Sequence, residues 1–161
     1  MTTRRPEKSL LPTPVKFTVV AASSEGGTEL NAFDNAILKA GIGNLNLLRV
    51  SSILPPGARE VESLTIAPGS LVPTAFGTIA SEKPGEVISA AIGVGLSGDP
   101  VGAIMEFSGH CHKEAAEAAV KAMVEEAFQV RQMPLARVII RAAEHKVERC
   151  GCAFAGVALW Y

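Results

Sequence analysis

Apolar and polar positions along the chain switch between a two-residue and a 3.6-residue rhythm, the marks of strand and helix. Residues 15–22 are rich in β-formers and predict the first strand. Residues 29–40 have helical periodicity, with Leu30, Phe33, Ile37 and Leu38 on one side. Gly41 follows as a natural cap, because glycine tolerates a left-handed backbone. Residues 47–54 read as one buried strand, stopped by Pro55-Pro56. Residues 57–68 form a polar connection. Residues 72–81 and 86–94 read as two strands around the Lys83-Pro84-Gly85 turn. Residues 101–107 add another strand. The clearest helix is 112–132, where Ala116, Val120, Met123, Ala127 and Val130 recur at three- and four-residue steps between Glu and Lys. Residues 137–147 and 153–160 predict the closing strands. Runs of strands with two long helices point to an α+β sandwich with helices covering sheets.

A chain of 161 residues is one domain by its length, spanning 1–161, with no repeat or internal linker. Hydrophobic residues make up 48% but aromatics only 5%, so the core is expected to be Ala, Val, Ile and Leu. Such a core favours tight sheet packing and invites partner subunits to complete the burial. Fifteen basic and sixteen acidic residues leave a formal charge of −1, which gives nucleic acid no electrostatic footprint. No apolar run is long enough to cross a membrane. The polar start, Met1 to Lys8, lacks the apolar centre of a signal peptide and predicts a loose arm over 1–13. Three cysteines are an odd count, and reduced thiols in a cytoplasmic protein are the simplest reading.

Two motifs invite chemistry and are set aside. Gly93-Val94-Gly95-Leu96-Ser97-Gly98 has the letters of a dinucleotide fingerprint, but that mechanism needs a helix to open at the loop. Here Asp99-Pro100 and a strand follow, so a hairpin loop is expected. His110, Cys111, His112, His145, Cys150 and Cys152 could be drawn as a metal site. Their spacing does not suit zinc, and surface histidines with inert thiols are expected instead.

The chemistry-bearing feature is the serine pair Ser51-Ser52 inside the apolar run. Strand neighbours point to opposite faces, so one hydroxyl looks inward whichever face is buried. A buried hydroxyl without a partner costs free energy. Spacing alone is better met by serines bonding the backbone near a strand end.

The wider stretch adds a resemblance. The run from Leu30 through Asp34, Gly41-Ile42-Gly43-Asn44-Leu45-Asn46 and into the serine pair resembles the pyruvoyl-dependent arginine decarboxylases. So do Leu71-Val72-Pro73-Thr74-Ala75-Phe76-Gly77, Pro84-Gly85-Glu86-Val87, Ile104-Met105-Glu106, Gly151-Cys152-Ala153-Phe154-Ala155 and Ala158-Leu159-Trp160-Tyr161. Several ordered blocks agree over nearly the whole chain after the first dozen or so residues.

The resemblance implies a two-sheet sandwich covered by helices, an αββα four-layer type. It implies a chain that cuts itself between Ser51 and Ser52 into 1–51 and 52–161, with Ser52 becoming a covalent pyruvoyl group. No pyridoxal phosphate or metal is then needed. Decarboxylation leaves an electron pair on the α-carbon that no side chain takes up well. The pyruvoyl ketone forms a Schiff base with the substrate amine and provides that sink. The reaction implied is L-arginine to agmatine and carbon dioxide, feeding polyamine synthesis or consuming protons. Asn46 is implied as an aid to self-cleavage, where its amide could donate to an oxyanion; asparagine also satisfies turn backbones. Glu106 is implied as the proton donor, and apolar strand neighbours should favour its neutral form. Asp34 is implied as the carboxylate that holds the guanidinium of arginine through a bidentate fork. From helix spacing alone, Asp34 lies on or beside the apolar face, and a bridge to Arg49 is the local alternative. Homotrimers, or dimers of trimers, are implied, with Glu106 from a different subunit than Ser52 and Asp34. Ornithine or lysine as the substrate, or an unprocessed non-catalytic subunit, are the rival readings.

Overall fold

A computed structural model describes residues 11–97 and 101–161. The elements run β1 (Lys16–Glu25), α1 (Glu29–Lys39), β2 (Asn46–Arg49), β3 (Ile53–Leu54), β4 (Arg59–Glu60), β5 (Leu71–Ser81), β6 (Val87–Leu96), β7 (Gly102–Gly109), α2 (Lys113–Val130), β8 (Arg137–Lys146) and β9 (Gly151–Trp160). One sheet has the order β2-β5-β9-β1-β4 and the other β3-β7-β6-β8. The helices cover the outer faces, giving the four-layer sandwich expected.

The strands at the middle of each sheet explain the layers. β9 pairs with both β1 and β5, and β6 with both β7 and β8, all antiparallel. Both strands are buried on both faces, so they read as near-continuous apolar runs rather than alternating ones. In β9, Ala153, Ala155, Val157 and Leu159 face the space between the sheets, while Cys152, Phe154 and Ala158 face α1. In β6, Ile88, Ala90, Ile92 and Val94 face inward, and Ala91 meets Ala116 and Val120 of α2. The core is largely aliphatic, although Phe17, Phe128 and Phe154 are its bulkiest fully buried side chains.

Gly93 and Gly95 lie inside β6, not in a hairpin loop. A Cβ on Gly95 would sit 2.4 Å from Phe128 Cε2, so glycine there lets α2 pack close to the sheet. The link to β7 falls later in the chain and includes residues outside the described set.

Helix ends follow capping chemistry. Thr28 caps α1 by accepting the Asn31 N–H at 3.2 Å. Gly41 follows its end with φ of 85°, as expected. His112 gives α2 no side-chain cap. Glu144 of β8 replaces it, accepting the Lys113 N–H at 2.7 Å, where the helix dipole favours a carboxylate.

The Lys83-Pro84-Gly85 turn joins β5 to β6 as expected and carries the chain from one sheet to the other, anchored where Gly85 N–H donates to the Val147 carbonyl at 2.7 Å. Three other expectations change. The 47–54 run is two short strands in different sheets, mostly exposed, because the chain crosses between layers there. The polar connection contains β4, parallel to β1. The buried face of α1 is Ala32, Ala36 and Ile37, whereas Leu30 and Leu38 are 75% and 55% exposed. Small side chains win that face because the sheet lies close. The arm expected over 1–13 falls mostly outside the described residues.

Candidate active site

The serine pair sits where the chain leaves one sheet for the other. β2 runs parallel to β5, with Arg49 opposite Thr74. The Val50 N–H then makes a last bond to the Thr74 carbonyl at 3.2 Å. Beyond the pair, β3 joins β7, with Ile53 opposite Ala103. The Ser52 carbonyl accepts the Ile104 N–H at 2.8 Å. The peptide between Ser51 and Ser52 is thus held on both sides by different sheets. Ser51 is exposed and Ser52 half-buried. Neither hydroxyl has a partner among the described residues, so both are uncommitted. A shallow cleft of about 270 Å³ opens beside Ser51, walled by Val50, Ile53, Pro73 and Tyr161 among others.

Glu106 arrives at the same place along β7. It lies two residues beyond Ile104, about 7 Å along the strand at the usual rise. A Cβ on Gly77 of β5 would come within 3.3 Å of Glu106 Cβ, so the side chain points into the space between the sheets. Gly77 is three residues past Thr74, just where β2 no longer covers β5. Two strand registers therefore bring Glu106 toward residues 50–52 of its own chain. That geometry does not need the division implied above, in which Glu106 comes from another subunit than Ser52. Burial pushes the Glu106 carboxyl up from its ordinary 4.5, as its apolar neighbours led us to expect, while the Arg49 guanidinium pulls it down.

Asn46 opens β2. Its N–H donates to the Ser70 carbonyl at 2.9 Å, and its side-chain amide donates to the Gly69 carbonyl at 2.8 Å. In this state it fastens the turn before β5. Asp34 is exposed on α1, beside exposed Leu30 and Leu38, and not on the buried face that its spacing suggested. It makes no bond or ion pair among the described residues. Arg49, its suggested local partner, is taken up elsewhere: Nη1 donates to the Phe76 carbonyl at 2.6 Å, and Cζ lies 3.9 Å from the Phe76 ring centroid. One chain thus brings together Ser51, Ser52 and Glu106, with Asn46 at the head of the same strand, and leaves Asp34 facing outward.

The three histidines drawn into a metal site are otherwise engaged. His110 pairs with Glu86, His112 with Glu144 and His145 with Glu25, at 3.1, 3.2 and 2.6 Å. His145 is only 17% exposed, so it is not the surface histidine expected. Cys150 and Cys152 are buried free thiols, and burial raises the pKa of both.

The model of the family described as pyruvoyl-dependent arginine decarboxylase matches residues 16–161. The pyruvoyl-dependent arginine decarboxylase of Methanocaldococcus jannaschii is 52% identical over 150 residues, which is 92% of this chain and 91% of that protein. The protein of the same name from Pyrococcus furiosus is 48% identical over 152 residues, 92% of this chain and 96% of that one. The chain belongs to the pyruvoyl-dependent arginine decarboxylase family. A solved pyruvoyl-dependent histidine decarboxylase, at pH 8, superposes with a TM-score of 0.50 at 22% identity. The match covers 60% of this chain and 52% of that one, and it speaks to the fold.

A pyruvoyl-dependent family carries a covalent pyruvoyl group where other decarboxylases use pyridoxal phosphate. The chain's residues fit such a group. A serine with an uncommitted hydroxyl stands at the sheet crossover, and its carbonyl is already fixed by Ile104 N–H. Sequence reasoning missed two neighbours in this family member, Arg49 and Gly77. The only signals were a lone cation inside an apolar run and a glycine inside a strand, which often marks a close approach.

Proposed function

We propose that this chain is a self-processing decarboxylase that splits between Ser51 and Ser52 and converts L-arginine to agmatine and carbon dioxide. The observation that carries the reading is the serine pair at the sheet crossover, in a chain 52% identical to an arginine decarboxylase over 92% of its length.

Processing uses the chain's own atoms. Ser52 Oγ attacks the Ser51 carbonyl, and the peptide becomes an ester. β-Elimination then releases the Ser51 carboxylate and leaves dehydroalanine at position 52. Hydrolysis with loss of ammonia leaves the keto group. The fixed flanks at Val50 and Ser52 hold the attacking and attacked atoms near each other, which replaces a costly search with a local step. Asn46 serves the oxyanion of that attack, for which its amide must turn from the Gly69 carbonyl.

Once formed, the pyruvoyl group supplies the electron sink for the bond to carbon dioxide. Glu106 supplies the proton to the α-carbon. Its half-buried site keeps it protonated to higher pH than an ordinary glutamate, which suits an acid near neutrality. We read Glu106 as coming from the same chain as Ser52, in line with the two registers. Asp34 holds the distal guanidinium. Because it faces outward, it serves the site of a neighbouring subunit. Exposed Leu30 and Leu38 flank it, and exposed Leu48, Ile53 and Leu71 surround the serine segment. Burying these faces between copies supports a homotrimer or a dimer of trimers. No helix among the described residues is long and apolar enough to cross a membrane. The free thiols suit a cytoplasmic enzyme.

Ser52→Ala tests the processing step and should abolish both cleavage and activity. Rates of the mature enzyme on arginine, lysine and ornithine test the substrate. Arginine should be strongly preferred. Equal rates would favour a general basic amino acid decarboxylase, and a Ser52→Ala protein that still decarboxylates would overturn the reading.

A further inference from the structure

The two flanks of the Ser51-Ser52 peptide are held unequally by the backbone. After the break, the Ser52 carbonyl accepts the Ile104 N–H at 2.8 Å, Ile53 and Leu54 pair with β7, and Leu54 is fully buried. Before the break, β2 is a short edge strand, exposed at Asn46, Leu48 and Arg49. Its last backbone bond, from the Val50 N–H to the Thr74 carbonyl, is 3.2 Å long, at the outer end of the usual range. The Phe76 carbonyl, two residues on along the same edge of β5, would face no strand. Arg49 reaches past the end of its own strand to fill it. Nη1 donates to that carbonyl at 2.6 Å, and Cζ lies 3.9 Å from the Phe76 ring centroid. The ring is itself packed against Phe33 of α1 and the fully buried Phe154 of β9, with centroids 6.3 and 5.4 Å away. The guanidinium thus sits on the α1 side of β5 and grips a rigid cluster.

We propose that Arg49 is a positioning residue for self-cleavage, a latch that holds the weak flank of the Ser51-Ser52 peptide while Ser52 Oγ attacks. The inference rests on the self-processing reading above. In that attack the bond from Oγ to the Ser51 carbonyl carbon forms, the peptide C–N bond breaks, and the hydroxyl proton passes to the Ser52 nitrogen. Attacking and attacked atoms are neighbours along the chain in any conformation. What the fold must supply is a peptide turned so that they meet, against the preference of the bond to stay planar. Such a turn is imposed only where both ends are clamped. An unlatched Val50-Ser51 segment would relax, and it would gain conformations that must be given up again in the transition state. Arginine suits the latch because its planar fork lies flat on a ring, donates to a carbonyl and keeps its charge. Arg49 lies before the break and Phe76 after it, so the contact spans the two pieces that cleavage creates.

Precursor made by cell-free synthesis is pulse-labelled, and its conversion into 1–51 and 52–161 is timed on denaturing gels. The chains compared are the parent, Arg49→Met, Arg49→Lys, Phe76→Leu and the Arg49→Met/Phe76→Leu double variant. Thermal unfolding of each in an uncut Ser52→Ala background reports whether it folds. Arg49→Met keeps the stem but loses the fork, and should slow cleavage by about tenfold, the worth of one hydrogen bond from a charged group. Arg49→Lys donates without lying flat and should recover part of the rate. Phe76→Leu removes the ring and leaves the carbonyl, so it should slow cleavage by less. The double variant should be little slower than Arg49→Met alone, because both changes break one contact. A folded Arg49→Met protein that cleaves at the parent rate, or a double variant in which the two losses multiply in full, would overturn the latch and leave self-processing standing. Should Arg49→Met fail to fold, a parent-like rate in Phe76→Leu would overturn it. A parent chain that never cleaves would instead sink the self-processing reading.

Discussion

Replacing Glu25 by glutamine removes a charge that fastens one end of the sandwich, far along the chain from the serine pair. Glu25 ends β1. Its carboxylate accepts the backbone N–H groups of Glu148, Arg149 and Cys150 at 2.9, 3.0 and 2.9 Å, and meets His145 Nε2 at 2.6 Å. These contacts, the Glu148 amide foremost, lower its pKa from 4.5 to about 2 against the opposing effect of burial. At 1.36 kcal/mol per pH unit, that difference corresponds to about 3 kcal/mol of folding stability at neutral pH. The side chain is 24% exposed, and solvent screens part of that. A loss of roughly 2 kcal/mol in Glu25→Gln is therefore expected. The sign follows from the lowered pKa. The unfolded chain takes up the proton more readily, so the contribution is complete above pH 4.5 and is lost as pH falls toward 2. Urea unfolding at fixed protein concentration, at pH 7 and pH 3, reads it out. The gap between parent and variant should be about 2 kcal/mol at pH 7 and less than half of that at pH 3. A gap that stayed the same at both pH values would refute the reasoning, because the contribution would then not depend on the charge.

Three further outcomes test the site. Glu106→Gln should leave cleavage largely intact and lower kcat by about 10²–10⁴, measured by carbon dioxide release. Asp34→Asn should raise KM for arginine and weaken its preference over other amino acids, with little change in Tm because Asp34 is exposed and unpaired within one chain. Unchanged preference would sink the guanidinium role. Gly77→Ala would place a methyl 3.3 Å from Glu106 Cβ and 3.4 Å from the Phe107 carbonyl oxygen, tighter than an ordinary contact. It should depress kcat more than it alters the extent of cleavage; parent-like kcat would show that Glu106 needs no such clearance.

The sandwich was legible where one face or both faces of an element decided its pattern. β9 and β6 announce themselves as near-continuous apolar runs, and α2 by its Ala116, Val120, Ala127 repeat. Failures came where tertiary packing chose between equal local options. An apolar run over 47–54 does not say that its two halves join different sheets. The serines in its middle were the only sign of the crossover. In α1 the sheet lies so close that alanines take the buried face, which turns Leu30, Asp34 and Leu38 outward. Gly93 and Gly95 imitate a phosphate loop because close packing of α2 on β6 also demands glycine. The candidate site residues were named through resemblance. Residues in isolation left Asn46 as a turn asparagine and Asp34 as one half of a salt bridge. Arg49 and Gly77 left only a lone cation in an apolar run and a glycine in a strand, because their placement arises from where β2 abandons the edge of β5.

The central claim is that the chain cuts itself after Ser51 and turns Ser52 into its own cofactor. Intact-protein mass spectrometry of purified, denatured material tests it most directly. The account predicts two chains, 1–51 and 52–161, the longer beginning with a pyruvoyl group in place of serine. A single uncut chain from protein that decarboxylates arginine would contradict it.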